Sequence, residues 1–213
     1  MIPGDGGARS LGQPRRRFLL AYSATMAFVA LPKIRLRRQA RSRLSQGGVI
    51  AYATESCFGL GCDPRNVRAL KRVLALKARP NHKGLIVIAA EFEQLAGLIA
   101  PLSAAERQQL AHYWPGPCTL LLPAARGIPA ALRGHHDKIA VRVTAHDEAA
   151  ALCRALGSAL VSTSANRAGQ QSLKNARACR RAFGARVLVL PGHIGKRRKP
   201  STIIDFTSGK VLR

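Results

Sequence analysis

The sequence predicts a single α/β domain built on a mixed β-sheet, and three observations support this. Short apolar runs such as VIAYAT (49–54) and GLIVIAA (84–90) alternate with helix-periodic segments, as happens when helices connect and cover strands. The C-terminal STIIDFTSGKVLR (201–213) reads as a hairpin that turns at residues 207–210, so part of the sheet must be antiparallel. The 213 residues, 47% of them hydrophobic, are enough for one sizeable core.

The first strand is followed by a loop and a capped helix. The Gly-rich ESCFGLGCDP (55–64) predicts a loop. Asn66 can cap a helix with an apolar stripe across residues 67–78. Because Pro80 disfavours helical backbone at the preceding residue, the helix should end at Arg79. The all-apolar GLIVIAA then predicts a strand that is covered on both faces.

The second half of the chain continues the alternation. In SAAERQQLAHYW (103–114), Ser103 and Glu106 have the spacing of a capping box. Gly157 should close the helix that begins at Asp147. Further helices are expected in EFEQLAGLIA (91–100) and NARACRRAF (175–183), and strands in CTLLLPA (118–124), KIAVRVT (138–144), ALVSTSAN (159–166) and ARVLVL (185–190).

Positive charge is concentrated in two flanking segments. Residues 1–46 contain ten Lys and Arg and one acid, and residues 167–199 contain ten and no acid, in a chain whose net charge is +25. This suits a polyanionic partner such as RNA or a nucleotide. Solvent-exposed, arginine-rich surfaces without a partner would give the same composition. Charge alone therefore does not distinguish a polyanion-binding surface from a merely solvated one. We divide the chain into a basic N-terminal extension, residues 1–46, and a domain, residues 47–213.

The cysteines and the N-terminus bear on localisation. The five cysteines form no CxxC pair and no zinc-like Cys/His spacing, so we expect reduced thiols in the cytoplasm and no protein-held metal. Residues 15–32 nevertheless resemble an export signal with a twin arginine. Met26 offers a second start, and residues 1–25 could therefore be untranslated or a targeting segment. No run of 18 apolar residues occurs, so we expect no membrane span.

The usual nucleotide-binding and catalytic motifs are missing from the sequence. It contains no GxxxxGK[ST], GxGxxG, HExxH, GxSxG or EF-hand pattern. A bound nucleotide would therefore have to be held by side chains at strand ends, where open α/β sheets place their ligands. Five polar clusters occupy such positions: ATESCFG (53–59), LKARPNHKG (76–84), Arg142 within IAVRV, STSAN (162–166) and PSTIID (200–205).

These clusters, taken in order, carry a family resemblance. TExxFGLGCDP, KxRP before KGLIVIA, YWPGPCTLLLP, AVRV, VSTSAN and PSTIID together closely resemble the YrdC-like threonylcarbamoyl-AMP synthase family (TsaC type), over roughly residues 47–213. The resemblance implies a twisted mixed sheet flanked by helices around a positively charged concave pocket. It also implies an enzyme, a nucleotidyltransferase, that condenses L-threonine, bicarbonate and ATP into threonylcarbamoyl-AMP and pyrophosphate. A threonylcarbamoyl transferase complex would then modify the adenosine beside the anticodon of tRNA.

The same resemblance assigns the site residues. Lys77 and Arg79 would be catalytic. ATP would be bound by Lys77, Arg79, Lys83, Ser164, Asn166, Ser172, Ser201 and Arg213, and threonine by Thr54, Ser56, Arg142 and Ser162. Glu55 could face the threonine ammonium or form a structural ion pair. We expect Mg²⁺ to be held mainly through phosphates, which needs no protein cage.

An RNA-binding function is the alternative. Under it, the basic surface would bind double-stranded RNA or rRNA during ribosome or RNA maturation. Charge-driven binding does not require Ser and Asn loops at strand ends or an arginine inside an apolar strand. Those features favour a small-molecule pocket.

Overall fold

Two mixed β-sheets covered by helices form the fold in the computed structural model, which describes residues 34–213. The strands are β1 (Val49–Ala53), β2 (Phe58–Gly61), β3 (Ile86–Ala89), β4 (Cys118–Pro123), β5 (Lys138–Val143), β6 (Leu160–Val161), β7 (Thr163–Ser164), β8 (Val187–Val189) and β9 (Thr202–Asp205). The α-helices are α1 (Ile34–Ser45), α2 (Val67–Lys77), α3 (Ala104–Leu110), α4 (Ala130–Arg133), α5 (Asp147–Leu156) and α6 (Ala176–Phe183). Across residues 34–213 no helix has both the length and the apolarity that a membrane span needs.

The nine strands of residues 34–213 form two separate sheets. One sheet has the order β7-β2-β1-β8 and the other β6-β3-β5-β4-β9. Three pairs are parallel, β1 with β8, β3 with β5 and β4 with β9, and the remaining pairs are antiparallel. The α/β class with mixed pairing is confirmed.

The chain crosses from one sheet to the other within the STSAN segment. β6 pairs with β3 and β7 pairs with β2, and only Ser162 separates the two strands. One polar segment therefore joins the edges of both sheets. The hydroxyl groups of this segment are placed where the sheets meet.

The segment 55–64 is not the loop that its glycines predicted. Residues 58–61 form β2, which pairs antiparallel with β1 in a hairpin. The glycines allow close contact instead of a turn, because a Cβ on Gly61 would lie 2.6 Å from Cε1 of Tyr52 and 2.9 Å from the carbonyl oxygen of Val161. The prediction was wrong because composition alone does not distinguish a Gly-rich loop from a strand that another backbone approaches closely.

Helix ends follow the predicted capping chemistry. The Asn66 side chain accepts a hydrogen bond from the Ala69 amide at the start of α2, and Ser103 and Glu106 form the reciprocal capping box of α3. α2 ends at Lys77, two residues before the predicted end at Arg79, because Ala78 has a left-handed conformation at φ 49°. Gly157 closes α5 at φ 71°. By contrast, the helix predicted in residues 91–100 is a single 3-10 turn, Phe92–Leu95.

Helix α1 belongs to the packed structure although its residues fell in the predicted extension. Ala40 and Leu44 are buried beside Ile50 and Leu160 in the smaller of two apolar clusters. The larger cluster fills the space between the sheets and α2. Residues 1–25, the segment predicted to be untranslated or a targeting sequence, lie outside the described residues.

Replacing Gly61 with alanine should lower the free energy of unfolding by roughly 1–3 kcal/mol, because the added methyl group overlaps Tyr52 and a backbone oxygen. Urea denaturation followed by circular dichroism measures this loss. Gly59→Ala is the matched control in the same strand, where the nearest atoms, at 3.2 and 3.3 Å, belong to the Thr54 and Ser162 side chains. Equal stability of the two variants would contradict the close contact at Gly61.

Candidate active site

A cavity of about 1040 Å³ lies where the ends of the two sheets meet. Its walls come from the loop after β1, the segment after α2, β5, the STSAN segment and the C-terminal residues. Nine Lys and Arg residues but only three carboxylates line it, together with seven Ser and Thr residues. Such a lining favours a ligand with several negative charges.

Ten of the twelve residues predicted for the site line this cavity. They come from distant parts of the sequence and are Thr54, Ser56, Arg79, Lys83, Arg142, Ser162, Ser164, Ser172, Ser201 and Arg213. Lys77 and Asn166 are not part of the lining. The structure therefore brings most of the predicted residues together at the cavity. Lys77 and Asn166 lie behind the residues that form the cavity wall.

Lys77 is buried, with 3% of its surface exposed, at the end of α2. Its ammonium group donates hydrogen bonds to the backbone oxygens of Ser164, at 2.5 Å, and Asn166, at 3.0 Å. Burial, together with the nearby charge of Arg79, lowers the pKa of Lys77 to about 8. The side chain thus ties the end of α2 to the STSAN segment.

Asn166 organises the loop that follows the same segment. Its side-chain amide donates to the backbone oxygens of Arg167 and Gln170, at 2.9 and 2.7 Å. Its Oδ1 lies 3.4 Å from the Lys77 ammonium and 3.5 Å from the hydroxyl of Ser172. Lys77 and Asn166 therefore support Ser164 and Ser172, which do line the cavity.

Arg79 reaches the cavity from the segment after α2. Its Nη2 donates to the backbone oxygens of Lys83 and Gly84, at 3.2 and 3.0 Å. Its Nε is buried and has no hydrogen-bond partner in residues 34–213. Burial lowers the pKa of Arg79 below its usual value. A buried donor without a partner is costly.

Arg142 is paired with Glu55, which decides the question that the sequence left open for that carboxylate. The Arg142 Nη2 lies 3.0 Å from Glu55 Oε2, and the two side chains are 8% and 14% exposed. Glu55 Oε1 accepts a second bond, 2.6 Å long, from the hydroxyl of Thr144. In this structure Glu55 therefore forms an ion pair within the protein.

The C-terminal Arg213 is the third guanidinium of the cavity. The chain folds back so that the Arg213 Nε donates to the Ser201 backbone oxygen at 3.2 Å and Nη2 to the Ser201 hydroxyl at 3.3 Å. Burial lowers the pKa of Arg213, and the positive charges of Arg79 and Arg142 lower it further. The Arg213 guanidinium is thus close enough to those of Arg79 and Arg142 to be repelled by both.

Sequence analysis missed several cavity residues. Lys174, Arg197 and Arg198 line the cavity, whereas the sequence identifies them only as members of the basic segment 167–199. The segment that carries Arg197 lies on the loop after β1, since the Gly195 amide donates to the oxygen of Thr54 and the Arg197 amide to that of Glu55. The density of positive charge made this segment a candidate for binding anions. The sequence could not show which of its Lys and Arg side chains line the cavity.

The cavity offers few ligands for a metal held by protein alone. Across residues 34–213, no group of three His, Cys, Asp or Glu side chains lies close enough to bind an ion. Of the lining carboxylates, Glu55 is bound to Arg142 and Asp205 to Lys138 at 2.7 Å.

Comparisons with known proteins agree on one family. A family model for Sua5, YciO and YrdC proteins, described as "Telomere recombination", matches residues 42–213. The threonylcarbamoyl-AMP synthase of Chromobacterium violaceum is 73% identical over 183 residues, which cover 86% of this chain and 95% of that protein. The threonylcarbamoyl-AMP synthase of Laribacter hongkongensis is 59% identical over 186 residues, which cover 87% and 100%.

A solved structure also shares the fold. The crystal structure of P. abyssi Sua5 complexed with L-threonine superimposes with a TM-score of 0.73 at 31% identity. The match covers 83% of this chain and 53% of that chain, so this protein spans about half of the length of P. abyssi Sua5.

The buried ammonium of Lys77 should make stability depend on pH between about 8 and 10.5. Because folding lowers its pKa, the unfolded chain binds more protons in this window, and the free energy of unfolding should rise with pH by up to about 3 kcal/mol. Chemical denaturation across this range should show that the free energy of unfolding of the wild type rises relative to that of Lys77→Met. Other groups titrate in both proteins, so parallel profiles would contradict the burial of a charged Lys77.

Proposed function

The chain belongs to the Sua5/YciO/YrdC family, and on this premise we propose that it is a threonylcarbamoyl-AMP synthase. It condenses L-threonine, bicarbonate and ATP to L-threonylcarbamoyl-AMP and pyrophosphate. Relatives that are 73% and 59% identical carry this name and match over nearly their whole length. The bound L-threonine of P. abyssi Sua5 supports an amino-acid site in the same fold.

One observation carries the proposal. Arg79, Arg142 and Arg213 surround a single cavity, and only Arg142 has a carboxylate partner among the described residues. Several cations that line one cavity without carboxylate partners favour the binding of an anion. A triphosphate together with the carboxylate of an amino acid supplies the missing negative charge.

The chemistry requires anions to be brought together. The amine of threonine and bicarbonate form a carbamate with loss of water. A carbamate oxygen then attacks the α-phosphorus of ATP, a new O–P bond forms, and the bond to pyrophosphate breaks. Such transfers depend chiefly on positioning and on stabilisation of negative charge.

Cavity residues supply both functions. Arg79, Lys83 and Arg213 bind the phosphates, with Ser164, Ser172 and Ser201 as hydroxyl contacts. Arg142 binds the threonine carboxylate, with Thr54, Ser56 and Ser162 around the amino acid. Lys77 and Asn166 act behind the wall, because their hydrogen bonds keep the STSAN segment in place.

The nucleotide would bring Mg²⁺ into the site with its phosphates. The lining carboxylates fit this arrangement, since Glu55 and Asp205 are each committed to a cation of the protein. Mg²⁺ commonly keeps several waters and binds through substrate phosphates. Bound there, it would offset negative charge on the phosphates.

The product implies cytoplasmic partners. Threonylcarbamoyl-AMP is a reactive intermediate, so we infer that a threonylcarbamoyl transferase complex accepts it and modifies tRNA beside the anticodon. The protein would then act in the cytoplasm, where tRNA is processed.

The direct test is pyrophosphate release from ATP by purified protein. Release should depend on both L-threonine and bicarbonate, and mass spectrometry should detect threonylcarbamoyl-AMP. Folded protein that releases no pyrophosphate with all substrates present would refute the proposal.

Lys77→Ala and Arg79→Ala should each reduce kcat/KM at least tenfold, a loss of about 1.4 kcal/mol of transition-state stabilisation. Arg79 acts directly on the phosphates, and Lys77 acts by holding the STSAN segment in position. Steady-state pyrophosphate assays measure both effects. Lys71→Ala and Arg68→Ala are the matched controls, since both residues lie exposed on α2 and away from the cavity. Wild-type turnover in the two test variants would place these cations outside the mechanism.

RNA binding through residues 167–199 should weaken steeply with salt, because each phosphate contact releases counter-ions. Arg177, Arg180 and Arg181 are exposed on α6 and do not line the cavity. Replacing all three with alanine should reduce the slope of log affinity against log salt by about one per lost contact. Fluorescence anisotropy with tRNA and double-stranded RNA measures this. A slope that is flat in the wild type, or unchanged in the variant, would contradict RNA binding there.

A further inference from the structure

The ion pair between Glu55 and Arg142 leaves most of the guanidinium unused. We propose that Glu55 is a positioning residue that, together with Thr144, holds Arg142 so that its free donors face the carboxylate of threonine. This inference rests on the proposed function, because it concerns the amino-acid site of that reaction.

Arg142 can donate hydrogen bonds to Glu55 and to a ligand at the same time. A guanidinium has five N–H donors, and among the described residues Arg142 donates to Glu55 alone. Its Nε is buried and has no hydrogen-bond partner within residues 34–213. The residue lies on the central strand β5, between β3 and β4, so its backbone cannot shift easily. Glu55 therefore fixes one side of the guanidinium and leaves the other side for a ligand in the cavity.

The Glu55 carboxylate is itself held from several directions. The hydroxyl of Thr144 donates to Oε1, and Thr144 is tied to β3 because its amide donates to the Ala89 oxygen at 3.0 Å. The Thr144 hydroxyl also accepts from the His146 amide at 3.2 Å. On the backbone side, the Arg197 amide donates to the Glu55 oxygen at 3.2 Å. The carboxylate is thus fixed before substrate arrives.

Electrostatics explains why a carboxylate is needed there. Arg142 lies near enough to Arg213 for the charges to repel, and a mobile, buried guanidinium would turn away from its neighbours. Of the three lining carboxylates, Asp205 is bound to Lys138, and Glu55 is the one in contact with Arg142. It partly offsets the charge of Arg142 and also orients it.

Glu55→Gln tests this with little change in shape. The amide has one acceptor oxygen for the two donors, Arg142 and Thr144, so the arginine should lose its fixed orientation. We expect KM for L-threonine to rise at least fivefold and KM for ATP to change less than twofold. Glu91→Gln is the matched control, because Glu91 pairs with Arg154 at 2.9 Å with both side chains 57% exposed. Equal effects on the two KM values would indicate a merely structural role and overturn the proposal.

The double variant separates positioning from direct contact with the threonine ammonium. If Glu55 acts through Arg142, adding Glu55→Gln to Arg142→Ala should change KM for threonine less than twofold. Full additivity would mean that Glu55 contacts substrate itself. L-Threoninol, which lacks the carboxylate, gives a second readout. The preference for L-threonine over L-threoninol in kcat/KM should fall in Glu55→Gln, and an unchanged preference would contradict the proposal.

Further variants cover the case in which Glu55→Gln does not fold. Thr144→Val removes one bond to Glu55 and should raise KM for threonine about twofold to fivefold, whereas Thr144→Ser keeps the hydroxyl and should restore it. No effect of Thr144→Val would count against the network. Calorimetric binding of L-threonine provides a readout without turnover. If the wild type binds threonine but releases no pyrophosphate, the enzymatic proposal fails while the affinities still test Glu55.

Discussion

Repulsion among the guanidinium groups of Arg79, Arg142 and Arg213 is the constraint on which the site depends. Each group is held by a different part of the fold. Arg79 is bound by backbone oxygens at Lys83 and Gly84, Arg142 by Glu55, and Arg213 by Ser201. These contacts keep the three charges around one cavity. Under the proposed function, a ligand with several negative charges would offset this repulsion at groups that are already in place, which is electrostatic preorganisation.

The buried ammonium of Lys77 has a different part in this arrangement. It lies outside the cavity lining and bonds to the Ser164 and Asn166 oxygens, so it links α2 to the segment that crosses between the sheets. The Glu55 carboxylate acts similarly on the opposite side, between the loop after β1 and the end of β5. Lys77 and Glu55 therefore hold in position the segments whose side chains line the cavity.

Local signals in the sequence predicted most of the elements correctly. Asn66, Ser103 and Gly157 cap or close helices as expected, because capping depends on a few neighbouring atoms. β2 was mistaken for a loop because composition does not show that a Cβ at Gly61 would overlap the Tyr52 ring and the Val161 backbone of neighbouring strands. The 3-10 turn at Phe92–Leu95 replaced a predicted helix, since helical propensity over so few residues is weak and tertiary packing overrides it.

By itself, the sequence determined the α/β class, the order of the six motifs and therefore the family resemblance, because these properties depend on residue types and spacing along the chain. It also named ten residues that line the cavity. Only the tertiary structure decided that Lys77 and Asn166 stand behind the wall, that Arg197 and Arg198 join it, and that Glu55 is bound to Arg142. Side-chain direction and pairing arise from contacts between segments as far apart as residues 55 and 142, and no local pattern records those contacts.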